Sequence, residues 1–338
     1  MRRTELDQCR IIGCLMVLVI HVSAGVYNLL PLESAGFAMM NFISTSVRGG
    51  VPIFFMLTGA LMLSRQSLDL SGMLKKHVFY LAGIFLLWSF IYALLSRIVS
   101  GDFGTAYDFV YSVVKGHYHM WFIPAMIVCY LFVPIVHAAL HGVKLSHKYL
   151  LGLFFVLVLL TSNMNLTPDT APILHQITLH LRLDYLGYML YLIWGWWLST
   201  KAMPKKTLWI APLVFFACCL LSSAGNMWYS HYKSGADGWL FSYFSLPNFI
   251  ESTAIFCFFL ALKDRQFKRT GLIKKLADCT LGVYLIHPMM INLFEVLGLG
   301  TKAHIPVGSV TLLTLLLAVS CFALVYVAKR IALVNKLL

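Results

Sequence analysis

Ten apolar stretches alternate with short polar segments along the chain, and each predicts a transmembrane helix, because about 20 apolar residues cross a hydrocarbon core of ~30 Å. These stretches run over residues 11–30, 44–63, 78–99, 119–140, 149–164, 185–199, 207–223, 243–262, 280–297 and 307–328. No fixed-period repeat and no segment for a separate soluble domain is visible. The pattern predicts one all-α, polytopic integral-membrane domain over residues 1–338.

Composition supports this fold class and excludes others. Hydrophobic residues make up 60% of the chain and charged residues 12%, whereas soluble proteins carry about 25% charged residues. The mean hydropathy is +0.81. This composition rules out a disordered chain, a nucleic-acid-binding module and a secreted disulfide scaffold, and we expect membrane lipid as the surrounding solvent.

The distribution of basic residues predicts the topology. The chain has 26 Lys+Arg against 13 Asp+Glu, a formal net charge of +13. With ten spans, 20 of the 26 basic residues fall on the side of the N-terminus, and short cytoplasmic loops are the segments that collect Lys and Arg. We therefore expect both termini in the cytoplasm, and the positive charge needs no nucleic acid to explain it.

The eight cysteines indicate neither a disulfide nor a metal site. All fall within the apolar stretches or at their predicted cytoplasmic ends, where thiols stay reduced. The nearest approach to a metal-binding pattern is the pair Cys218-Cys219, which has no neighbouring histidine. No metal is expected.

Ionisable residues within the predicted spans are the candidates for function, because burying them in lipid is costly. Arg10 and His21 are eleven residues apart on the first helix, which places them on one face with a separation of ~16 Å along the axis. A guanidinium suits a phosphate-bearing ligand, and an imidazole suits a general base at neutral pH. The alternative is that Arg10 only sets topology and His21 hydrogen-bonds a neighbouring helix.

Five short stretches, in order along the chain, resemble the signature of the acyltransferase family 3 membrane proteins. They are Arg10-x10-His21, Val51-Pro52-Ile53-Phe54-Phe55-Met56-Leu57-Thr58-Gly59, His119-Met120-Trp121-Phe122-Ile123, Glu251-Ser252 and Leu281-Gly282-Val283-Tyr284-Leu285-Ile286-His287-Pro288. Their order along the chain, together with the number of spans, makes the set specific. The chain is similar to the compact type, which has no additional periplasmic domain, such as the enterobacterial-common-antigen and O-antigen O-acetyltransferases.

The resemblance implies an activity and a location. Such proteins transfer an acyl group, usually acetyl, from cytoplasmic acyl-coenzyme A to a hydroxyl of a cell-surface or lipid-linked sugar. It therefore implies acetyl-coenzyme A as donor substrate, a glycan or lipid-linked sugar as acceptor, and a bacterial inner membrane as location. The sequence leaves open the acceptor, the length of the acyl group, direct transfer or an acyl-enzyme, and the oligomeric state.

For the donor, the resemblance implies phosphate contacts at the start of the first and third helices. Arg10 lies at the first of these positions. At the second, many family members carry arginines, whereas this chain has Lys75-Lys76-His77. The positive charge is kept but the bidentate guanidinium fork is lost, so Lys75 and Lys76 are weaker candidates than Arg10.

Three further residues are candidates for the reaction itself. The resemblance implies that His21 is the base that deprotonates the acceptor, and Glu251 is a candidate acidic partner of His21. Arg48 precedes Gly49-Gly50, where a broken helix can line a cavity. Arg48 is interpreted as a residue that contacts an anionic part of the donor or the acceptor, or that stabilises the developing oxyanion. The alternative for Arg48 and Glu251 is a structural ion pair between the two, and a protonated carboxyl is a further alternative for Glu251.

Three residues are candidates for binding the acceptor. His119 and Trp121 open the fourth helix, where Trp121 would stack on a sugar face or else act as an interfacial aromatic anchor. His287 precedes Pro288, which frees a backbone carbonyl one turn earlier. His287 is therefore either a substrate contact or a histidine bonded to that backbone.

Two other classes of function remain as alternatives. A transporter or flippase also has broken spans and buried charge, although no inverted repeat is visible. A small-molecule sensing module of the same fold is the second alternative.

Overall fold

A computed structural model describes residues 2–146, 149, 172–180, 183–263, 265, 269–300 and 307–335. Within these ranges the chain is helical and contains no strand. It forms two compact units, which are described separately. Unit 1 comprises Met1–Leu57 and Trp194–Leu338, and unit 2 comprises Thr58–Ile193.

The described helices are α1 Thr4–Tyr27, α2 Ala35–Ser46, α3 Gly50–Met62, α4 Leu70–Ser100, α5 Ala106–Lys115, α6 Phe122–His141, α7 Pro172–His180, α8 Met189–Ser199, α9 Thr207–Tyr232, α10 Leu246–Leu260, α11 Thr270–Val296, α12 Val307–Ala328 and α13 Ala332–Asn335. Short 3-10 turns occur at Tyr118–Trp121, Leu183–Tyr188 and Trp239–Phe241. Residues Leu74–Phe79 of α4 are π-helical.

Seven helical segments in the described part of the chain are long and apolar enough to cross a membrane. They are Thr4–Tyr27, Ala35–Met62, Leu70–Ser100, Tyr118–His141, Thr207–Tyr232, Thr270–Val296 and Val310–Ala328. The predicted span 243–262 corresponds to α10, which is apolar but shorter. The predicted span 149–164 lies outside the described residues, apart from residue 149. The number ten and the cytoplasmic location of both termini therefore stay predictions.

The helix packing of unit 1 begins at α1, which packs against α2, α10, α11 and α12. The thiol of Cys14 on α1 lies 3.8 Å from the carbonyl oxygen of Thr280 on α11. Helix α9 packs against both α2 and α10. These contacts place most of the candidate residues of unit 1 on helices that touch one another.

Helices α2 and α3 form one span that is interrupted at residues 47–49. Ser34 caps α2 by accepting a hydrogen bond from the Phe37 amide, so the span begins nine residues before the predicted position 44. A Cβ atom at Gly50 would lie 2.7 Å from the Met16 Cβ, so only glycine allows α3 to cross α1 this closely. The helix is therefore broken near Gly49-Gly50, as the sequence predicts. Arg48 lies in this break between α2 and α3.

In unit 2, the segment 100–118, which lies between the predicted spans 78–99 and 119–140, contains helix α5. Thr105 and Asp108 form a capping box at its N-terminus, and these hydrogen bonds lower the pKa of the Asp108 carboxyl below its ordinary value. Two histidines of α6 hold the end of α3. His137 Nε2 donates to the Arg65 carbonyl at 2.8 Å, and His141 Nε2 donates to the Leu63 carbonyl at 2.9 Å.

Candidate active site

His21 and His287 lie side by side in unit 1. His21 projects from α1 and His287 from α11, with their ring centroids 4.7 Å apart and their planes inclined at 42°. His287 is fully buried, whereas His21 is only half-buried. The sequence placed both residues in spans but did not predict that they meet. A half-buried imidazole backed by a buried one is an arrangement that can take up and return a proton.

A proline fixes the orientation of the buried ring. Pro288 has no amide hydrogen, so the carbonyl of Tyr284 one turn earlier lacks its usual helical donor. His287 Nδ1 lies 2.7 Å from this oxygen and donates to it. The donation places the lone pair of the neutral ring on Nε2. This is the backbone contact that one interpretation of His287 predicts, and it leaves the role of the ring beside His21 as a prediction.

Arg10 lies on the continuous helix α1, three turns from His21 on the same face, as the spacing predicts. It does not stand alone, because its Nη1 is 3.7 Å from Asp7 Oδ1. Asp7 also binds Arg2, which reaches Asp278 on α11 at 2.8 Å. The hydrogen bond to Asp7 raises the pKa of Arg2 above its ordinary value. Arg10 therefore already has a carboxylate beside it. An anionic ligand that binds Arg10 would share the guanidinium with Asp7.

Glu251 is buried at the contact between α9 and α10. The Ser222 hydroxyl donates to Glu251 Oε1 at 3.2 Å, and the Cys219 thiol also bonds the carboxylate. Within the described residues, neither Arg48 nor His21 is a hydrogen-bond or ion-pair partner of Glu251. Its role as an acidic partner of His21 therefore stays a prediction, without a direct contact to support it.

Glu251 belongs to a larger set of buried polar residues that the sequence analysis missed. We call this set the polar seam, and it comprises Asn41, Ser44 and Thr45 on α2, Ser222, Ser223 and Asn226 on α9, and Asn248, Glu251 and Ser252 on α10. The Asn41 amide donates to the Ser223 carbonyl at 2.7 Å and so joins α2 to α9. The recurrence of Ser222 and Asn226 four residues apart was the signal in the sequence, because it places both on one helix face.

Arg48 is half-buried at the interruption between α2 and α3. Its guanidinium carbon lies 4.3 Å from the centre of the Phe241 ring, and its side chain also hydrogen-bonds Tyr243. Both aromatic residues lie about 190 positions later in the chain, so no local pattern could have predicted them.

The lysines of unit 2 lie on the π-helical part of α4. Lys75 and Lys76 are both exposed, and His77 stacks on Tyr130 with ring centroids 4.7 Å apart. A π-helical turn widens the helix and is often found at functional positions. The exposed ammonium groups can bind an anion at this end of α4.

His119 and Trp121 lie on the 3-10 turn that precedes α6. His119 is buried, and its Nδ1 is 2.8 Å from Nδ1 of His117, which stacks on Tyr92. Burial lowers the pKa of His117 to about 4, so this ring is neutral at pH 7. Trp121 is half-buried beside Tyr188, with ring centroids 5.9 Å apart. An aromatic surface of this kind suits either a sugar face or a membrane interface.

The described residues contain no group of three His, Cys, Asp or Glu side chains that could hold a metal ion.

Comparison with known proteins identifies a family and a relative. Residues 3–329 match the family model of the acyltransferase domain of acyltransferase family 3. The chain is also similar to a protein named amino-acid racemase from Enterococcus faecalis, at 26% identity over 339 residues. That alignment covers 95% of this chain and 45% of the racemase, so the chain spans less than half the length of that relative. No solved structure matches the chain.

Proposed function

Since this chain belongs to acyltransferase family 3, we propose that it transfers an acetyl group from acetyl-coenzyme A to a hydroxyl of a glycan or lipid-linked sugar. The observation that carries the proposal is the contact between His287 and His21, which lies on the same face of α1 as Arg10. Family membership supports acyl transfer in general, and the apolar helices fit a multi-pass membrane protein. The donor, the acceptor and the bacterial inner membrane are part of the proposal.

In this proposal His21 is the general base. It takes the proton of the acceptor hydroxyl as the oxygen attacks the thioester carbonyl, and it returns the proton to the sulfur when the carbon–sulfur bond breaks. His287, held by the Tyr284 carbonyl, fixes the position of the His21 ring. A second imidazole in contact with the base limits the orientations of the base and keeps water from one side of it.

The donor is assigned to the Arg10 end of α1. The ~16 Å from Arg10 to His21 is about the reach of an extended pantetheine arm, so phosphates beside Arg10 bring the thioester to His21. Lys75 and Lys76 remain predictions for the same class of ligand, since ammonium groups bind phosphate as point charges. Direct transfer and an acyl group carried by His21 both fit this arrangement.

For the acceptor, His119 and Trp121 of unit 2 stay predicted contacts. Trp121 with Tyr188 offers an aromatic surface for a sugar ring, and His119 offers a buried polar contact. Glu251 is retained as the acidic partner of the reaction. Its substitution Glu251→Gln keeps one oxygen for the Ser222 hydroxyl, removes the ionisable proton and replaces the second oxygen by an NH2 donor, so a changed pH profile of turnover would reveal its influence.

The test uses the protein purified in detergent or nanodiscs. Binding and turnover of acetyl-coenzyme A are measured for the wild type, His21→Ala and Arg10→Ala, with His231→Ala as a matched histidine control on the exposed end of α9. We expect His21→Ala to bind the donor but to lose turnover by 10²-fold or more. Arg10→Ala should bind the donor about tenfold more weakly, and His231→Ala should behave as wild type. A wild-type protein that binds no acetyl-coenzyme A would overturn the proposal.

A transporter or sensing module is the second candidate, and the polar seam is the observation that favours it. Buried hydroxyl and amide groups joining three helices resemble the lining of a path through a membrane. The name of the Enterococcus relative suggests an amino acid as the ligand to test. Uptake of radiolabelled amino acids into vesicles that contain the purified protein, with no turnover of acetyl-coenzyme A, would favour this candidate.

A further inference from the structure

The guanidinium of Arg48 lies in a small aromatic cage of unit 1, which we define as Arg48, Tyr27, Phe241 and Tyr243. It lies over the Phe241 ring at 4.3 Å, and the Tyr27 and Phe241 rings pack with their centroids 5.3 Å apart. The side chain hydrogen-bonds the Tyr243 hydroxyl. Its Nε is shielded from solvent and has no hydrogen-bond partner among the described residues.

No described carboxylate forms an ion pair with this cation. Three acidic residues from neighbouring segments bind elsewhere. Asp237 pairs with Lys233 at 3.6 Å, Glu33 lies 3.6 Å from His231, and Glu251 accepts from Ser222. A half-buried cation without a described counter-anion is costly, because the aromatic faces replace only part of the hydration that burial removes. The cage is therefore electrostatically incomplete.

The cage lies towards the Tyr27 end of α1, whereas Arg10 lies towards the opposite end of that helix. His21 is between them, six residues before Tyr27 and eleven after Arg10. A ligand held by the cage thus approaches His21 from the side opposite to the donor of the proposed function.

We propose that the Arg48 cage binds the carboxylate of the acceptor, so that the substrate is a hydroxy acid such as an acidic sugar. The naming of this ligand as the acceptor rests on the proposed function, whereas the binding of a carboxylate does not. One guanidinium balances one negative charge, and its planar edge matches two carboxylate oxygens. A phosphate would bring up to two charges to a cage whose only described cation is Arg48.

The hydroxyl and the carboxylate of the ligand have different tasks in this arrangement. The carboxylate binds at Arg48 and so fixes the position of the molecule. The hydroxyl is then presented towards His21, which takes its proton. A neutral sugar of the same shape lacks the first contact and is bound more weakly.

The experiment measures ligand binding to purified protein by calorimetry and by the shift in melting temperature, without any acyl donor. The probes are D-glucuronate against methyl glucoside, and D-lactate against 1,2-propanediol, so that a sugar acid and a small hydroxy acid are separated. Glucose 6-phosphate is the phosphate arm. We expect glucuronate to bind and methyl glucoside to bind at least tenfold more weakly.

The variants are Arg48→Gln, Arg48→Lys and Tyr243→Phe, with Arg97→Gln as the matched control. Arg97 also lies over a phenylalanine ring, at 5.0 Å from the Phe109 centre, and is half-buried like Arg48, but it lies in unit 2. We expect Arg48→Gln to weaken glucuronate binding at least tenfold and Arg48→Lys by less. Tyr243→Phe keeps the charge and should weaken binding only a few-fold, and Arg97→Gln should leave it unchanged. If Arg48→Gln does not fold, Arg48→Lys and Tyr243→Phe decide the test.

Several results would overturn the inference. These are equal binding of glucuronate and methyl glucoside, no binding of either acid, unchanged binding in Arg48→Gln, or stronger binding of the phosphate than of both acids. Binding of acetyl-coenzyme A is measured on the same preparations. A protein that binds the donor but no acid overturns the inference alone, and a protein that binds the acid but no donor overturns the proposed function alone.

Discussion

Both units contain histidines in ring contact, and the pair His21–His287 of unit 1 uses its nitrogens differently from the pair His137–His141 of unit 2. In unit 1, His21 and His287 come from two helices that are far apart in the chain, and their planes are inclined at 42°. In unit 2, His137 and His141 are one turn apart on α6 and stack at 4.4 Å with a 29° inclination. Both rings of the unit 2 pair donate from Nε2 to carbonyls that follow α3.

The difference separates a structural pair from a candidate reactive pair. The rings of the unit 2 pair complete the hydrogen bonding of a helix end, which is a stabilising task. In the unit 1 pair, the buried ring of His287 is anchored to the Tyr284 carbonyl, and the half-buried ring of His21 on the neighbouring helix is the one that the proposed function uses as a base. Substitutions in the two pairs should therefore affect different quantities, activity in unit 1 and stability in unit 2.

The largest effect is expected at His287. His287→Ala should lower turnover of acetyl-coenzyme A by about 10²-fold, because the base is then free to leave its reactive orientation. His287→Asn retains a donor for the Tyr284 carbonyl and should lose no more than about tenfold. Steady-state kinetics with the melting temperature as a fold control measure both. Equal losses in the two variants would mean that the imidazole itself takes part in the chemistry.

A smaller effect, on stability alone, is expected at His137. Its side chain is 3% exposed, so His137→Ala leaves the Arg65 carbonyl without its donor and should lower the free energy of unfolding by about 1–3 kcal/mol. Thermal unfolding measures the loss, and turnover per folded molecule should equal that of the wild type. Lost turnover in a fully folded variant would contradict the structural role of this pair.

The partner ring provides an internal control. His141 is exposed, so water can replace its hydrogen bond to the Leu63 carbonyl. His141→Ala should cost about 0.5–1.5 kcal/mol, less than His137→Ala. The reverse order in thermal unfolding would show that burial does not set the cost of these bonds.

The smallest effect is a pH dependence at His117. Burial lowers the pKa of this ring from 6.5 to about 4, so the folded state binds fewer protons than the unfolded state between these values. The stability that follows is present above pH 6.5 and is lost as the pH falls towards 4. The difference in melting temperature between pH 7 and pH 4.5 should be smaller in His117→Asn than in the wild type, and an equal difference would assign the acid sensitivity to other groups.

The sequence predicted what depends on local pattern. The helical class, the placement of Arg10 and His21 on one face of α1 and the interruption before Gly50 all follow from periodicity and composition. Helix α5 could have been predicted as well, because Thr105 and Asp108 have the spacing of a capping box.

What the sequence could not provide is the set of long-range partners. The contact of His21 with His287 joins positions 266 residues apart, and Arg48 meets Phe241 across 193. Hydropathy reports which segments are buried in lipid but not which faces pair inside it. The polar seam could be predicted in part. The sequence shows the polar face of each helix, but only the folded structure shows which of these faces pack against one another.

The isolated charge of Arg48 also bears on how the protein is made. An arginine near the centre of a span costs about 3 kcal/mol during membrane insertion, and the segment Ala35–Met62 is the least apolar of the seven candidate spans. Its close crossing with α1 at Gly50 and Met16 offers a protein surface in place of lipid. We therefore expect α1 and the α2–α3 segment to insert into the membrane together, as a helical hairpin. In this hairpin α1 provides the surface against which the α2–α3 segment packs.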